Sequence, residues 1–91
     1  MVGAERVVVE FFGVPRLRAG RAELAVAAGT ASEVLAAVQA ACPGLAGLLR
    51  PGGGLAPHYL LSLDGRQFVT DLSREVAPGT RLLLLSADAG G

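Results

Sequence analysis

Apolar and polar positions follow two different periods along this chain. Arg6 to Phe12 (RVVVEFF) is β-branched and aromatic, which predicts a strand. Gly13-Val14-Pro15 and Ala19-Gly20 interrupt it and predict a loose hairpin connection. Arg21 to Ala27 alternates, with Ala22, Leu24 and Val26 on one side, as a second strand does. The period changes at Thr30. Thr30-Ala31-Ser32-Glu33 is a capping box, in which the Thr30 hydroxyl accepts from the Glu33 amide and the Glu33 carboxylate accepts from the Thr30 amide. A helix from Ala31 to about Ala41 follows, with an apolar stripe of Val34, Leu35, Val38, Ala41 and Cys42, and Pro43-Gly44 ends it. Leu45, Leu48 and Leu49 suit one further helical turn against the same core.

After a flexible loop at Arg50-Pro51-Gly52-Gly53-Gly54, the period of two returns. His58 to Leu63 predicts a third strand, and Asp64-Gly65 a two-residue hairpin turn, because glycine accepts the positive φ of type I′. Arg66 to Val69 pairs back as a short fourth strand, and Asp71 to Val76 is irregular or 3₁₀. Pro78-Gly79 fits a type II turn, and Arg81 to Ser86 (RLLLLS) is the fifth strand. The order ββαβββ predicts an α+β domain over residues 1–86, a mixed sheet with one main helix packed across one face, followed by a flexible tail over 87–91. Parallel neighbours in a sheet's centre read as continuous apolar runs, and the first and fifth strands are such runs.

One helix covers only one face of a sheet. Alternation assigns Val7, Val9, Phe11, Leu61, Leu82 and Leu84 to the core. Val8, Phe12, Leu60, Leu83 and Leu85 then form an apolar patch on the uncovered face, the kind of patch that marks a partner-binding surface unless the 45–57 segment folds over it.

Composition narrows the chemistry. The 91 residues make one domain, and 52% hydrophobic content excludes a disordered chain. No apolar run approaches the ~20 residues of a membrane span, and the first residues lack the layout of a signal peptide, so a cytoplasmic protein is expected. Eight basic and eight acidic residues cancel, which argues against nucleic acid as the main partner. A single Cys and a single His leave no disulfide and no metal cluster. Cys42 reads as core packing, and His58 as a surface or patch-edge residue. Gly52-Gly53-Gly54 is no phosphate loop, since that motif needs a lysine opening a helix. Asp64, Asp71, Glu75 and Asp88 read as solvated charges. All eight basic residues are arginine; codon bias accounts for this, and a chain free of lysine also cannot acylate itself through a side-chain amine.

The ending Ala89-Gly90-Gly91 gives these pieces a shared meaning. With VVVEFFG in the first strand, T-x-x-E-V-L at Thr30 to Leu35, LDG at Leu63 to Gly65 and APGTRLLLL at Ala77 to Leu85, the chain resembles the ubiquitin-like β-grasp sulfur carriers of the MoaD/ThiS group over nearly its whole length. That group includes the molybdopterin synthase small subunit, the thiazole-forming carrier ThiS, and carriers for cysteine synthesis or tRNA thiolation. The tail lacks the prolines common before the diglycine in molybdopterin synthase small subunits, and its AGG ending and long 44–57 connection look closer to the cysteine-synthesis type.

The resemblance implies a ubiquitin-like β-grasp fold and a sulfur carrier that is not itself an enzyme. An E1-like enzyme would adenylate Gly91 with ATP, and a persulfide donor of desulfurase or rhodanese type would convert it to a thiocarboxylate. The sulfur would then pass to a sulfur-acceptor synthase. Ala89, Gly90 and Gly91 would thread the partner's active site, glycine supplying a thin, permissive backbone. The implied partner-binding patch is Phe12, Leu60, Leu83 and Leu85. No bound cofactor, metal, nucleic acid or membrane is expected. A modifier conjugated through Gly91 and a plain interaction domain are the alternatives.

Overall fold

The structure, a computed structural model, describes residues 5–87. In chain order it runs β1 (Arg6–Phe11), α1 (Val14–Ala19), β2 (Glu23–Ala27), β3 (Gly29–Thr30), α2 (Ala31–Ala41), a 3₁₀ turn (Pro43–Leu45), β4 (Tyr59–Leu63), β5 (Gln67–Phe68), β6 (Glu75–Val76) and β7 (Arg81–Ser86). Five strands form one mixed sheet in the order β2-β1-β7-β4-β5, and β3 pairs with β6 in a separate two-stranded sheet. The two continuous apolar runs lie side by side and parallel, with Val9 opposite Leu82 and Phe11 opposite Leu84. β4 closes on the other side of β7 in antiparallel register, Leu61 opposite Leu84.

The inner face carries the core. Val7, Val9, Phe11, Leu61, Leu82 and Leu84 are all at most 1% exposed, and they pack in one cluster with Val34, Leu35 and Val38 of α2. The expected helix bounds hold because the start is heavily specified. Glu33 N–H donates to Thr30 Oγ1 (3.1 Å), and Thr30 N–H donates to Glu33 Oε1 (2.9 Å). The two remaining amides of the first turn, on Ala31 and Ser32, donate to the carbonyls of Arg74 and Leu72. No orphan donor of that turn is left at the junction with the 71–74 loop. Ala41 is a correction: this last helical residue is exposed, and the stripe reaches the core through Cys42 instead.

Three further expectations change. Residues 14–19 are a helix, α1, where a loose hairpin connection was expected. Gly13 and Pro15 look like breakers, but Pro is tolerated in a first turn, whose amides lack partners anyway. Gly20 then closes the helix in the left-handed region (φ 74°), its N–H donating to Arg16 O. The 71–76 stretch, expected to be irregular or 3₁₀, ends in strand β6, with Val76 opposite Gly29. At Asp64-Gly65 both φ values are positive (52° and 69°), as a type I′ turn requires. The ladder resumes only at Gln67 opposite Leu63, so the connection has Arg66 as a third residue. The Pro78-Gly79 turn stands as expected, with Gly79 at φ 87° and Thr80 N–H donating to Ala77 O.

The 45–57 segment sends Leu45, Leu48 and Ala56 into the core. Its glycine loop closes as a turn, with Arg50 N–H on Gly54 O and Gly53 N–H on Arg50 O, flanked by the isolated bridge between Leu49 and Leu55. Gly44 lies against α1 so closely that a Cβ there would overlap the Arg18 carbonyl oxygen. That contact fixes α1 against the 3₁₀ turn.

Candidate functional site

Strand alternation builds the outer face of the sheet from the residues left over by the core. Paired residues share a face, so Glu10 and Leu83 lie together, as do Leu60 and Leu85, Ser62 and Leu83, and Ser62 and Phe68. Continuing the β1–β7 register past Phe11 and Leu84 sets Phe12 beside Leu85, and Phe12 N–H donates to Leu84 O. Phe12 is 46% exposed, and Leu60, Leu83, Leu85 and Val8 are half-buried. All the expected patch residues therefore occupy one face.

That face has two halves. The apolar half spans Phe12, Leu85, Leu60 and Leu83. It continues to Phe68 on β5, which is 59% exposed and was not anticipated from the sequence. Phe68 carried a signal: it is an aromatic residue in the returning arm of a hairpin, two positions ahead of Thr70. What hid it was the extra residue Arg66, which sets its face. The polar half is centred on Arg81, whose Nη1 lies 2.7 Å from Glu10 Oε2 and 3.2 Å from Glu23 Oε1. The hydrogen bond to Glu23, with the charge of Glu10 next, raises the Arg81 guanidinium above its ordinary value.

The 45–57 segment sends its buried residues into the core and leaves Phe12 and Phe68 exposed. Leu55, Ala56 and Pro57 line a groove of about 310 Å³ together with Leu60, Phe68 and Thr70. The chain leaves the sheet at the neighbouring end. Ser86 pairs with Tyr59, and Ala87 N–H donates to His58 O (2.9 Å). Ala89, Gly90 and Gly91, expected to carry the chemistry, lie outside the described residues.

The remaining candidates are placed as follows. Cys42 is buried at 2% exposure within the core cluster. His58 is exposed and its ring sits 4.3 Å from that of Tyr59, tilted by 42°. Asp64, Asp71 and Glu75 are exposed, and Asp71 accepts from the Ser73 hydroxyl (2.6 Å) and amide (3.0 Å). These bonds, the hydroxyl's first, hold the Asp71 carboxyl below its ordinary value. Among the described residues, no three His, Cys, Asp or Glu side chains converge as a metal site, and no helix is long and apolar enough to cross a membrane. The arrangement presents a partly apolar, partly charged face beside the point where the chain exits.

No protein-family model and no curated protein matches the chain. Solved structures do. The chain is similar to small archaeal modifier protein 1 (SAMP1) from Haloferax volcanii, with a TM-score of 0.79 at 23% identity over 94% of this chain and 99% of that one. It is similar to SAMP1 from Methanosarcina acetivorans, with a TM-score of 0.79 at 19% identity over 99% and 100%. A protein from Pyrococcus furiosus described as molybdopterin converting factor subunit 1 matches with a TM-score of 0.69 at 12% identity over 91% and 98%. At these identities the likeness establishes the fold, a ubiquitin-like β-grasp.

Proposed function

We propose that this protein is a ubiquitin-like sulfur carrier whose Gly91 carboxyl is the reactive group. A carboxylate is a poor acyl donor because its oxygen leaves badly. In the proposed cycle an E1-like enzyme directs the Gly91 carboxylate onto the α-phosphorus of ATP, and pyrophosphate leaves. A persulfide on a desulfurase or rhodanese-type donor attacks the acyl carbon, and AMP leaves. A thiol then cleaves the resulting acyl disulfide, forming a mixed disulfide with the donor and leaving a thiocarboxylate on Gly91 that passes its sulfur to an acceptor synthase. The chain itself holds no cofactor in this reading; ATP belongs to the activating enzyme, and the setting is the cytoplasm.

One observation carries the proposal. β7, the strand that leads to Asp88-Ala89-Gly90-Gly91, is held between β1 and β4. It borders a face bearing Phe12, Leu60, Leu83 and Leu85. A partner docked on that face therefore meets the chain where it leaves the sheet. The match to a protein described as molybdopterin converting factor subunit 1 supports the same reading.

Intact mass tests it. Incubated with an adenylating enzyme from the same cell, ATP and a persulfide source, the protein is expected to gain the mass difference between sulfur and oxygen at Gly91. No gain with folded protein would reject the carrier. The SAMP1 neighbours, described as modifier proteins, favour a second reading, conjugation of Gly91 to lysines of other proteins. Isopeptide-linked Gly-Gly remnants on cellular lysines, without thiocarboxylate, would select it.

A further inference from the structure

Helix α1 lies apart from the outer-face patch of the sheet, and its surface is unusual. Leu17 is 82% exposed, more than any other large hydrophobic side chain among the described residues. Between Phe11 and Ala22 the chain carries Arg16, Arg18 and Arg21 and no acidic residue. Arg16 and Arg21 make no ion pair among the described residues, and Arg18 donates to Tyr59 Oη (3.0 Å). This is not a loose loop. Pro15 is buried, Gly20 closes the helix, and Gly44 packs against the Arg18 carbonyl. The fold holds an apolar side chain out in water, flanked in sequence by arginines that make no ion pair among the described residues, on a fixed support.

Its position gives that surface a use. Arg18 reaches Tyr59, Tyr59 pairs with Ser86, and Ala87 bonds to His58, so α1 stands beside the point where the chain leaves β7. Phe12 and Val14, 46% and 40% exposed, carry apolar surface from α1 towards the outer sheet face.

We propose that α1 is a second docking element, which seats Leu17 in an apolar socket with an acidic rim on the enzyme that receives the tail. Arg16 and Arg21 pair with carboxylates of that rim. The proposal rests on reading Gly91 as the reactive end. Charge complementarity selects the occupant: free arginines on both sides of Leu17 favour an acidic protein surface. An exposed leucine in the same short segment has nothing to gain from a nucleotide's phosphates.

Steady-state adenylation and thiocarboxylation by the activating enzyme from the same cell test this, with this protein as the varied substrate. Leu17→Ser is expected to raise KM for the protein about tenfold with kcat nearly unchanged, while Leu17→Met retains wild-type KM. The double reversal Arg16→Glu and Arg21→Glu is expected to raise KM similarly and to remove the increase of KM with salt expected for the wild type. All these side chains are exposed, and unchanged thermal melting verifies the fold. Wild-type KM in the variants, while wild type is thiocarboxylated, overturns the docking role and leaves the carrier reading intact. A reversal that raises KM for ATP alone assigns the arginines to the nucleotide and also overturns it. Failure of wild type to be thiocarboxylated removes both.

Discussion

Strand β7 carries four consecutive leucines, and neighbours one residue apart have opposite roles. Leu82 and Leu84 point inward and are fully buried; Leu83 and Leu85 point outward and are half-buried beside Phe12, Leu60 and Ser62. Hydropathy is identical along the run, so composition separates nothing here. What separates them is the pleat, which sends alternate side chains to opposite faces, and the presence of α2 on one face alone. The inner face holds the fold together. The outer face keeps apolar area in contact with water, and only a partner can recover the free energy of burying it.

That contrast is breakable. Leu84→Ala empties a fully buried position and is expected to cost about 2–5 kcal/mol, read as a fall in the urea midpoint. Leu83→Ser, one residue away, is expected to leave stability within about 1 kcal/mol of wild type. It is expected to weaken binding of the proposed adenylating enzyme by about 1–3 kcal/mol, measured by titration calorimetry. Equal destabilisation by the two substitutions would show that the faces are not functionally distinct.

Two smaller effects sharpen the inner side of the comparison. Thr30→Ala removes the hydroxyl that accepts from Glu33 N–H, and a loss of about 1 kcal/mol in urea unfolding is expected as the covering helix loses its cap. Asp71 sets the loop whose carbonyls take the first α2 amides. Its carboxyl is held low by Ser73, so its contribution is complete above the ordinary carboxylate value and is lost as pH falls towards the depressed one. Asp71→Asn is therefore expected to flatten slightly the decline of the urea midpoint between about pH 5 and about pH 2. An unchanged decline would show that this turn does not differ in the unfolded chain.

Sequence alone located α2 and β7 to their end residues, because a capping box and a proline-glycine turn are local signals that depend on few neighbours. Face assignment followed for Val7, Val9, Phe11, Leu82 and Leu84, since each strand has one period and one covering helix. Illegible features depended on distant partners. α1 hid behind Gly13 and Pro15, residues that break a helix in its interior but open one at its start. Two-residue strands β3 and β6 exist only through each other, 46 residues apart from Gly29 to Glu75, and carry no pattern of their own. Phe68 and Leu17 were missed for a related reason: neither side chain's exposure follows from period, only from what the neighbouring element leaves uncovered.

The central place of β7 also governs how the protein is made. Synthesis delivers β1 and β4 first, and both must wait with an unpaired edge for the strand that joins them. A chain halted before Arg81 lacks Leu82 and Leu84 and both β-ladders that β7 supplies, so the β2-β1 and β4-β5 parts of the sheet have no strand to join them. Prematurely terminated products are thus expected to be degraded instead of persisting as folded decoys. Birth of the folded domain coincides with emergence of its last strand, so every molecule able to present the outer face has been translated at least that far.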